Sequence, residues 1–379
     1  MTVQPAVHPG RWCLMTSHKR TLVIAEIGVN HNGNLQTAIE LTQVAIASGA
    51  DAVKLQLFEA HSLVAQSALV APYQKAPNST VTSQFDLLQK LELDLSAVSS
   101  VATEAAKGNI EFIATAFDEK DLDFLISGLG VRRLKIPSGE ITNLAYVLEC
   151  GRTKLPLIIS TGMANLAEIR LALDTVLYGR HVGCTPGSRR EITRASDAWG
   201  GPSALKESVI LLQCTTAYPT PIEEANVKAM LTLRDEFGLE VGFSDHTLGA
   251  EAAFAAVALG ARVIEKHITL NRHQEGPDHL ASMEPSAFMD FVSGIRLIED
   301  ALGDGEKMPR ESETENIGVA RRVLVATQRV EEGSVITSES FKAKRAEGGL
   351  DASFCWDVVG RPANRRYEAG EALDPEICS

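Results

Sequence analysis

The stretch VGFSDHTLGAEAAFAAVALGARVIEKHITLNRHQEGPDH, residues 241–279, contains two short apolar runs separated by an alanine-rich run of helical length. The order strand, helix, strand defines a βαβ unit, whose two parallel strands end at the same edge of a sheet. His246 and His267 lie at the ends of these strands, and Asp278 lies on the Gly-Pro loop beyond them. Two imidazoles and a carboxylate at one opening can hold a divalent metal ion. The stretch therefore predicts a metal site at the mouth of a parallel sheet.

The composition is that of a globular protein with an acidic surface. Of the 379 residues, 45% are hydrophobic, and the formal net charge is −13. A charge of this sign argues against nucleic acid and against an anionic membrane as partners. No apolar run reaches membrane-spanning length, and residues 1–20, interpreted as a tail, lack the apolar core of a secretory signal. The six cysteines form no CxxC pair, so we expect reduced thiols in a cytoplasmic protein.

From residue 21 onward, short apolar runs alternate with longer amphipathic runs. Runs such as TLVIAEI, DAVKLQLF and IEFIATAF are continuous and apolar, as parallel strands buried on both faces are. Eight successive β-then-α units within residues 21–302 predict an α/β fold, the (β/α)8 TIM barrel. An open doubly wound sheet is the alternative, but no glycine-rich dinucleotide-binding motif follows the first strand.

Three segments depart from this alternation. Residues 181–205, HVGCTPGSRREITRASDAWGGPSAL, are rich in Gly, Ser, Arg and Pro and are interpreted as an inserted surface loop. Residues 303–318 are polar and charged, which is typical of a linker. Residues 319–379 contain short apolar runs punctuated by glycine turns, which predict a small, mostly β domain.

Polar side chains end nearly every predicted barrel strand, and in a TIM barrel this edge carries the active site. Lys54 and Lys135 lie inside apolar strands, where an unpaired ammonium group is costly to bury. Together with four hydroxyl groups they form a candidate site for an anion such as phosphate, the hydroxyls being those of Thr115, Ser138, Ser160 and Ser244. A Lys–Glu pair that stabilises the barrel mouth is the first alternative. A lysine that forms a Schiff base is the second.

Two carboxylates also end predicted strands. Glu26 can accept hydrogen bonds from a polyol, and Glu140 can act as a general acid or base. Glu140 can equally cap the helix that is predicted to start near Asn143. Lys266 directly precedes His267 and is expected at the same edge of the barrel.

The motifs AEIGVNHNG, ADAVKLQLF, KIPSGEITN, STGM, CTTAYPTP, GFSDHT, EKHITL and GPDHLAS resemble those of the N-acetylneuraminate (sialic acid) synthase family. The segment 319–379 resembles the SAF, or antifreeze-like, domain that follows the barrel in that family. The resemblance runs from Leu22 to the C-terminus, except for residues 181–205. It implies condensation of phosphoenolpyruvate with an N-acetylmannosamine-type sugar and water, which yields N-acetylneuraminate and phosphate.

The resemblance also implies a role for each residue at the barrel mouth. It implies a divalent metal ion, Mn²⁺ or Mg²⁺, on His246 and His267, with Asp278 nearby through water. The implied phosphoenolpyruvate contacts are Lys54, Thr115, Lys135, Ser138, Ser160 and Ser244. Glu26 and Tyr218 match the family's sugar-binding residues, and the catalytic candidates are Glu140, Glu26 and Asp278.

In that family an arginine from the small domain of one subunit reaches the sugar site of the other. Arg345 in KRAEGG matches this arginine, although Ala346 and Glu347 replace the Pro-Gly of the family motif. The resemblance therefore implies a domain-swapped homodimer.

Two other functions remain open at this stage. A legionaminate-type synthase would use a 2,4-diacetamido-2,4,6-trideoxy-hexose, and the motifs match it equally well. A non-catalytic sugar-binding barrel that serves polysaccharide assembly is the alternative from another class.

Overall fold

The computed structural model describes residues 20–69 and 83–378. The chain divides into two compact units, the first ending at Asp304 and the second beginning at Gly305. The predicted tail, except for Arg20, lies outside the described residues. Among the residues described, no helix is both long and apolar enough to cross a membrane.

The first unit is a parallel, near-closed barrel, which confirms the predicted TIM-barrel fold. Its eight strands are β1 (Leu22–Gly28), β2 (Ala52–Leu57), β3 (Glu111–Ala116), β4 (Leu134–Ile136), β5 (Leu157–Ser160), β6 (Val209–Gln213), β7 (Glu240–Asp245) and β8 (Val263–His267). They follow the order β3-β2-β1-β8-β7-β6-β5-β4 and pair in parallel throughout. The two end strands, β3 and β4, lie side by side.

Helices alternate with the strands and cover the barrel wall. They are α1 (Leu35–Ala47), α2 (Ala60–Leu63), α3 (Gln84–Gln89), α4 (Leu95–Lys107), α5 (Glu119–Asp123), α6 (Leu144–Arg152), α7 (Leu166–His181), α8 (Arg189–Ala198), α9 (Ala229–Phe237), α10 (Glu251–Ala258) and α11 (Pro285–Leu302). Asparagine, aspartate or serine side chains cap several of the helices, since they can accept from the free backbone N–H groups of the first turn.

Side chains inside the barrel form two layers of opposite character. The lower layer is apolar and buried, and it consists of Ile24, Ala52, Ile113, Ile158, Leu212 and Val263. Two residues further along the strands the interior becomes polar, with Glu26, Lys54, Thr115, Ser160 and Glu265. Because side chains alternate between the two faces of a strand, each polar residue lies directly above an apolar one. An apolar layer thus lies beneath the polar groups.

The predicted surface loop 181–205 instead contains helix α8. Its N-terminus is capped by Ser188, whose hydroxyl accepts from the backbone N–H of Glu191. The helix packs on α7 through Ile192, and the Ser196 hydroxyl donates to Asp174 at 2.6 Å. The sequence did not predict this helix because its single large buried apolar residue, Ile192, makes the apolar face very narrow.

The second unit contains one helix and a small sheet. Helix α12 (Glu311–Ala320) covers half of the predicted linker. None of its residues is buried, so its sequence has no apolar periodicity by which a helix could be predicted. Strands β9 (Val323–Ala326) and β10 (Phe341–Lys344) pair antiparallel. The core of this unit includes Leu324, Ile336 and Tyr367.

Candidate active site

A network of buried ion pairs lies in the polar layer of the barrel. Nζ of Lys54 lies 2.7 Å from Glu26 and 3.8 Å from Glu265, and Nζ of Lys135 lies 3.4 Å from Glu265. The register aligns Glu26 on β1 directly with Lys54 on β2. Both predicted lysines are therefore paired with carboxylates, so the pairing that the sequence left as an alternative is present.

Hydroxyl groups extend this network toward the neighbouring strands. Lys135 donates to Oγ of Ser160 at 2.7 Å, and the hydroxyl of Ser244 donates to Glu265 at 2.8 Å. Oγ of Ser138 lies apart from this network, where it accepts from the backbone N–H of Gly162 at 3.0 Å.

Several polar atoms inside the barrel mouth are buried without a hydrogen-bond partner. They include Oε1 of Glu26, Oγ1 of Thr115, Oε2 of Glu265 and Nδ1 of His267. Buried polar atoms in native proteins are nearly always paired, because an unpaired one costs about 1–3 kcal/mol. Such atoms gathered in one barrel interior are groups that a bound ligand could pair with.

The buried charges shift one another's pKa values in opposite directions. Burial raises the pKa of Glu26 to about 7, although Lys54 opposes this shift. Burial acts in the same direction on Glu265, but Lys135 and Lys54 outweigh it and hold the pKa of Glu265 at about 2. For Lys54, burial is outweighed by Glu26 and Glu265, which raise its pKa, whereas burial lowers the pKa of Lys135. Glu265 thus stays ionised, and Glu26 is the group that can take up a proton near neutral pH.

The two histidines of the opening stretch lie together, as predicted. Their ring centroids are 5.6 Å apart, and the ring of Tyr218 lies 4.2 Å from His246 and 5.8 Å from His267. Nδ1 of His246 is 2.7 Å from the carbonyl oxygen of Thr215. A carbonyl only accepts, so Nδ1 carries the proton and Nε2 keeps its lone pair. Burial lowers the pKa of both histidines, which keeps the imidazoles neutral.

Asp278 completes this group at the mouth. Its carboxylate lies 3.7 Å from Nδ1 of His267, and burial raises its pKa to about 6. In the described parts of the chain, no three His, Cys, Asp or Glu side chains form a ready-made metal site. Two neutral imidazoles therefore fit an ion whose remaining ligands are water or substrate, and they do not fit a closed structural site.

Lys266 lies between Glu265 and His267 on β8, and alternation along the strand turns its side chain away from theirs. The expectation that Lys266 contributes to the mouth of the barrel is therefore wrong. Its ammonium group points out of the barrel, where it pairs with the buried Asp245 at 2.9 Å. It also donates to the backbone carbonyl of Gly249 at 2.9 Å, which holds the loop that follows His246. The same alternation places Glu265 inside. Glu265 was not among the residues predicted from sequence, although its spacing of two residues from His267 indicates that both side chains share a face.

Glu140 lies on a short 3₁₀ turn, Ser138–Glu140, that follows β4. Its Oε2 accepts from the side chain of Asn143 at 2.7 Å, while Asn143 itself caps α6. The described contacts connect Glu140 neither to the lysines nor to the histidines. Ser138 also lies 3.0 Å from Sγ of Cys214, an inward-facing residue after β6 that the sequence analysis did not single out.

Arg345 belongs to the second unit and is exposed there. Among the described residues it has no recorded ion pair, so its predicted role in a sugar site rests on the resemblance alone.

Comparisons with known proteins agree with this fold. The model of the NeuB family matches residues 41–307. The N,N'-diacetyllegionaminic acid synthase of Campylobacter jejuni is 42% identical over 94% of this chain and 99% of its own length. The enzyme of the same name from Legionella pneumophila is 43% identical over 93% of this chain and 92% of its own. The structure of an N-acetylneuraminic acid synthetase from Leptospira borgpetersenii superposes with a TM-score of 0.64 at 28% identity, covering 79% of this chain and 91% of that one.

Fold, site and relatives define a class of enzyme, the phosphoenolpyruvate-dependent synthases of nonulosonic acids. The chain belongs to the NeuB family, which is the N-acetylneuraminate synthase family that its motifs resemble. Within this class the relatives favour the legionaminate-type alternative over the N-acetylneuraminate product that the sequence analysis put first.

The substitution Glu265→Gln tests the central ion pair. It leaves two buried ammonium groups with one carboxylate, so we expect the free energy of unfolding to fall by about 3–5 kcal/mol in denaturant titrations. Glu240→Gln is the matched control, because that carboxylate is 42% exposed and lies 3.5 Å from Arg262. It should cost about 1 kcal/mol or less. Equal losses in the two variants would show that the network does not depend on Glu265.

Proposed function

We propose that this enzyme condenses phosphoenolpyruvate with a 2,4-diacetamido-2,4,6-trideoxy-hexose and water, giving a legionaminic acid-type product and inorganic phosphate. The observation that carries the choice of sugar is the 42% and 43% identity to two N,N'-diacetyllegionaminic acid synthases. A pseudaminic acid synthase and an N-acetylneuraminate-9-phosphate synthase are 30% and 28% identical. Synthesis of N-acetylneuraminate from an N-acetylmannosamine-type sugar is the second candidate, because the motifs at the mouth match it as well.

The polar layer supplies the groups that hold phosphoenolpyruvate. Its phosphate and carboxylate would pair with Lys54 and Lys135, and nearby hydroxyls would donate to the same oxygens, those of Thr115, Ser138, Ser160 and Ser244. The two lysines are already neutralised by two carboxylates. Since the pKa of Glu26 is raised to about 7, protonation of Glu26 would offset part of the negative charge that the substrate brings.

The sugar would lie nearer the mouth, against Tyr218 and the two histidines. In the reaction, C3 of phosphoenolpyruvate bonds to the aldehyde carbon, and the aldehyde oxygen takes up a proton to become a hydroxyl group. Water adds to C2 and loses a proton, and the C2–O bond to phosphate then breaks, which leaves a ketone at C2 and releases phosphate. Glu26, whose Oε1 has no partner, would accept a hydrogen bond from a sugar hydroxyl. Glu140 would orient the water and take its proton, a role that rests on the resemblance.

A divalent metal ion, Mn²⁺ or Mg²⁺, is part of the proposal. His246 and His267 would hold it, with Asp278 nearby through water. When bound, the ion supplies a Lewis acid that polarises the carbonyl group of the open-chain sugar. The support in this chain is that both imidazoles are neutral and that His246 keeps the Nε2 lone pair available.

The resemblance also supports a domain-swapped homodimer. Arg345 of one subunit would reach the sugar site of the other and donate to the sugar. The exposure of Arg345 and the absence of an ion pair for it among the described residues are compatible with this role.

A substrate panel tests the proposed reaction. The assay measures phosphate release by the purified protein with phosphoenolpyruvate, Mn²⁺ and each sugar. The kcat/KM should be at least about 10-fold higher for 2,4-diacetamido-2,4,6-trideoxymannose than for N-acetylmannosamine. The reason is that a site built for the second acetamido group leaves polar groups unpaired when the smaller sugar binds. Reactions without sugar are the control. A preference for N-acetylmannosamine would select the second candidate. If neither sugar leads to phosphate release, the proposed synthesis is contradicted and the non-catalytic barrel is favoured.

Metal removal and His267→Ala test the ion. Turnover should stop in EDTA and return with Mn²⁺, and the variant should bind Mn²⁺ at least about 10-fold more weakly, as measured by electron paramagnetic resonance of the free ion. His61→Ala is the control, since the His61 side chain is 69% exposed and lies 3.4 Å from Glu59, which is not a proposed metal ligand. Turnover that survives EDTA, or unchanged Mn²⁺ affinity in the variant, would contradict the metal role and reopen the Schiff-base alternative for Lys135.

The substitution Arg345→Ala tests the swapped dimer. Loss of a charged hydrogen-bond donor should raise the KM for the sugar about 10-fold or more and leave the KM for phosphoenolpyruvate nearly unchanged. Lys344→Ala removes a neighbouring exposed charge and serves as the control. Sedimentation should show a dimer for all three proteins. A monomeric wild type, or an equal effect on both substrates, would argue against this arrangement.

A further inference from the structure

A groove of about 580 Å³ lies between α7 and α8, away from the barrel mouth. Ala167, Leu171 and the stems of arginines make part of its lining apolar. Four guanidinium groups line it as well, those of Arg170, Arg189, Arg190 and Arg194. None of these residues belongs to the site at the mouth. The groove exists only because residues 181–205 fold into a helix.

The positive charge of this groove is poorly compensated. Arg170 lies 3.4 Å from Asp197 and 4.0 Å from Asp174. Arg189, Arg190 and Arg194 have no recorded ion pair or hydrogen bond within the described residues, although the whole chain has a net charge of −13.

The position of two of these arginines adds to the electrostatic cost. Arg189 and Arg190 lie in the first turn of α8, where the helix dipole disfavours cations. An anion bound there would relieve both the repulsion among the guanidinium groups and the unfavourable placement of Arg189 and Arg190.

Asp174 adds a second requirement for a ligand. It is fully buried and lines the groove. Its Oδ1 accepts from the hydroxyl of Ser196 at 2.6 Å, whereas its Oδ2 is buried without a hydrogen-bond partner. An ionised carboxylate oxygen only accepts, so the missing partner is a donor such as a hydroxyl group. Nε of Arg170 lies 4.0 Å from Oδ2, which is too far for a hydrogen bond. Inorganic phosphate alone would satisfy the arginines and leave Oδ2 of Asp174 without a hydrogen bond.

We propose that this groove binds a phosphorylated sugar. Its phosphate pairs with Arg189, Arg190 and Arg194, since planar guanidinium groups match phosphate oxygens. A sugar hydroxyl donates to Oδ2 of Asp174. The volume of the groove lies in the range of small-molecule sites. A free sugar phosphate and the ribose phosphate of a nucleotide share this chemistry, and the site is independent of the reaction proposed for the barrel mouth.

Calorimetric titration of the full chain tests the site, with ribose 5-phosphate, adenosine 5′-monophosphate and inorganic phosphate as probes. At least one phosphorylated sugar should bind about 10-fold or more tightly than inorganic phosphate. The triple variant R189A/R190A/R194A should lose at least about 10-fold in this affinity and keep the wild-type condensation rate. Tighter binding of the nucleotide identifies a nucleotide as the source, and the reverse identifies a free sugar phosphate.

Two further variants distinguish binding in this groove from nonspecific attraction of phosphate to positive charge. The triple variant R132A/R234A/R329A removes the same charge elsewhere and should bind the probes as the wild type does. Asp174→Asn still accepts from Ser196 through its oxygen but offers an amide instead of Oδ2, so it should weaken sugar phosphate binding and spare inorganic phosphate. The proposal is overturned if no probe binds at millimolar concentration, if inorganic phosphate binds as tightly as the sugars, or if the R189A/R190A/R194A variant binds like the wild type.

Discussion

The site depends on Glu265, the carboxylate that lies within 4 Å of both interior lysines. Two ammonium groups at this depth are stable only with compensating negative charge, because charges lose their hydration on burial. Glu265 supplies that charge from β8, and Glu26 supplies more from β1. The ion pairs thereby join strands β1, β2, β4 and β8 across the barrel interior. The same groups that compensate one another in the absence of substrate are those proposed to bind phosphoenolpyruvate.

This arrangement explains why a neutral interior can serve an anionic substrate. The four charged side chains sum to zero when all are ionised, so the pocket does not attract anions through net charge alone. In the proposed binding mode, directed donors would supply the attraction, and Glu26, whose pKa is raised to about 7, would provide a place for a proton. The acidic surface of the protein is therefore compatible with a substrate that carries phosphate and carboxylate.

The barrel could be predicted from sequence because its strands are continuous apolar runs. The residues at its mouth could be predicted because they are polar side chains in or at the ends of these runs. His246, His267, Lys54 and Lys135 stand out there as polar residues in apolar runs. Helix α8 could not be predicted, since a helix whose one large buried apolar side chain is Ile192 leaves too weak a pattern. The position predicted for Lys266 was wrong because adjacent residues of a strand point to opposite faces, so Lys266 and His267 cannot both point into the barrel. The choice of sugar came from relatives, since the motifs at the mouth are shared by enzymes with different acceptors.

The apolar layer beneath the polar layer has a consequence for the order in which two ligands would bind. A ligand held by Lys54 and Lys135 would lie below His246, His267 and Tyr218, which are one layer nearer the opening. A second molecule seated against those rings would cover the first. In the proposed reaction the ligand of the lysines would therefore enter first and leave last.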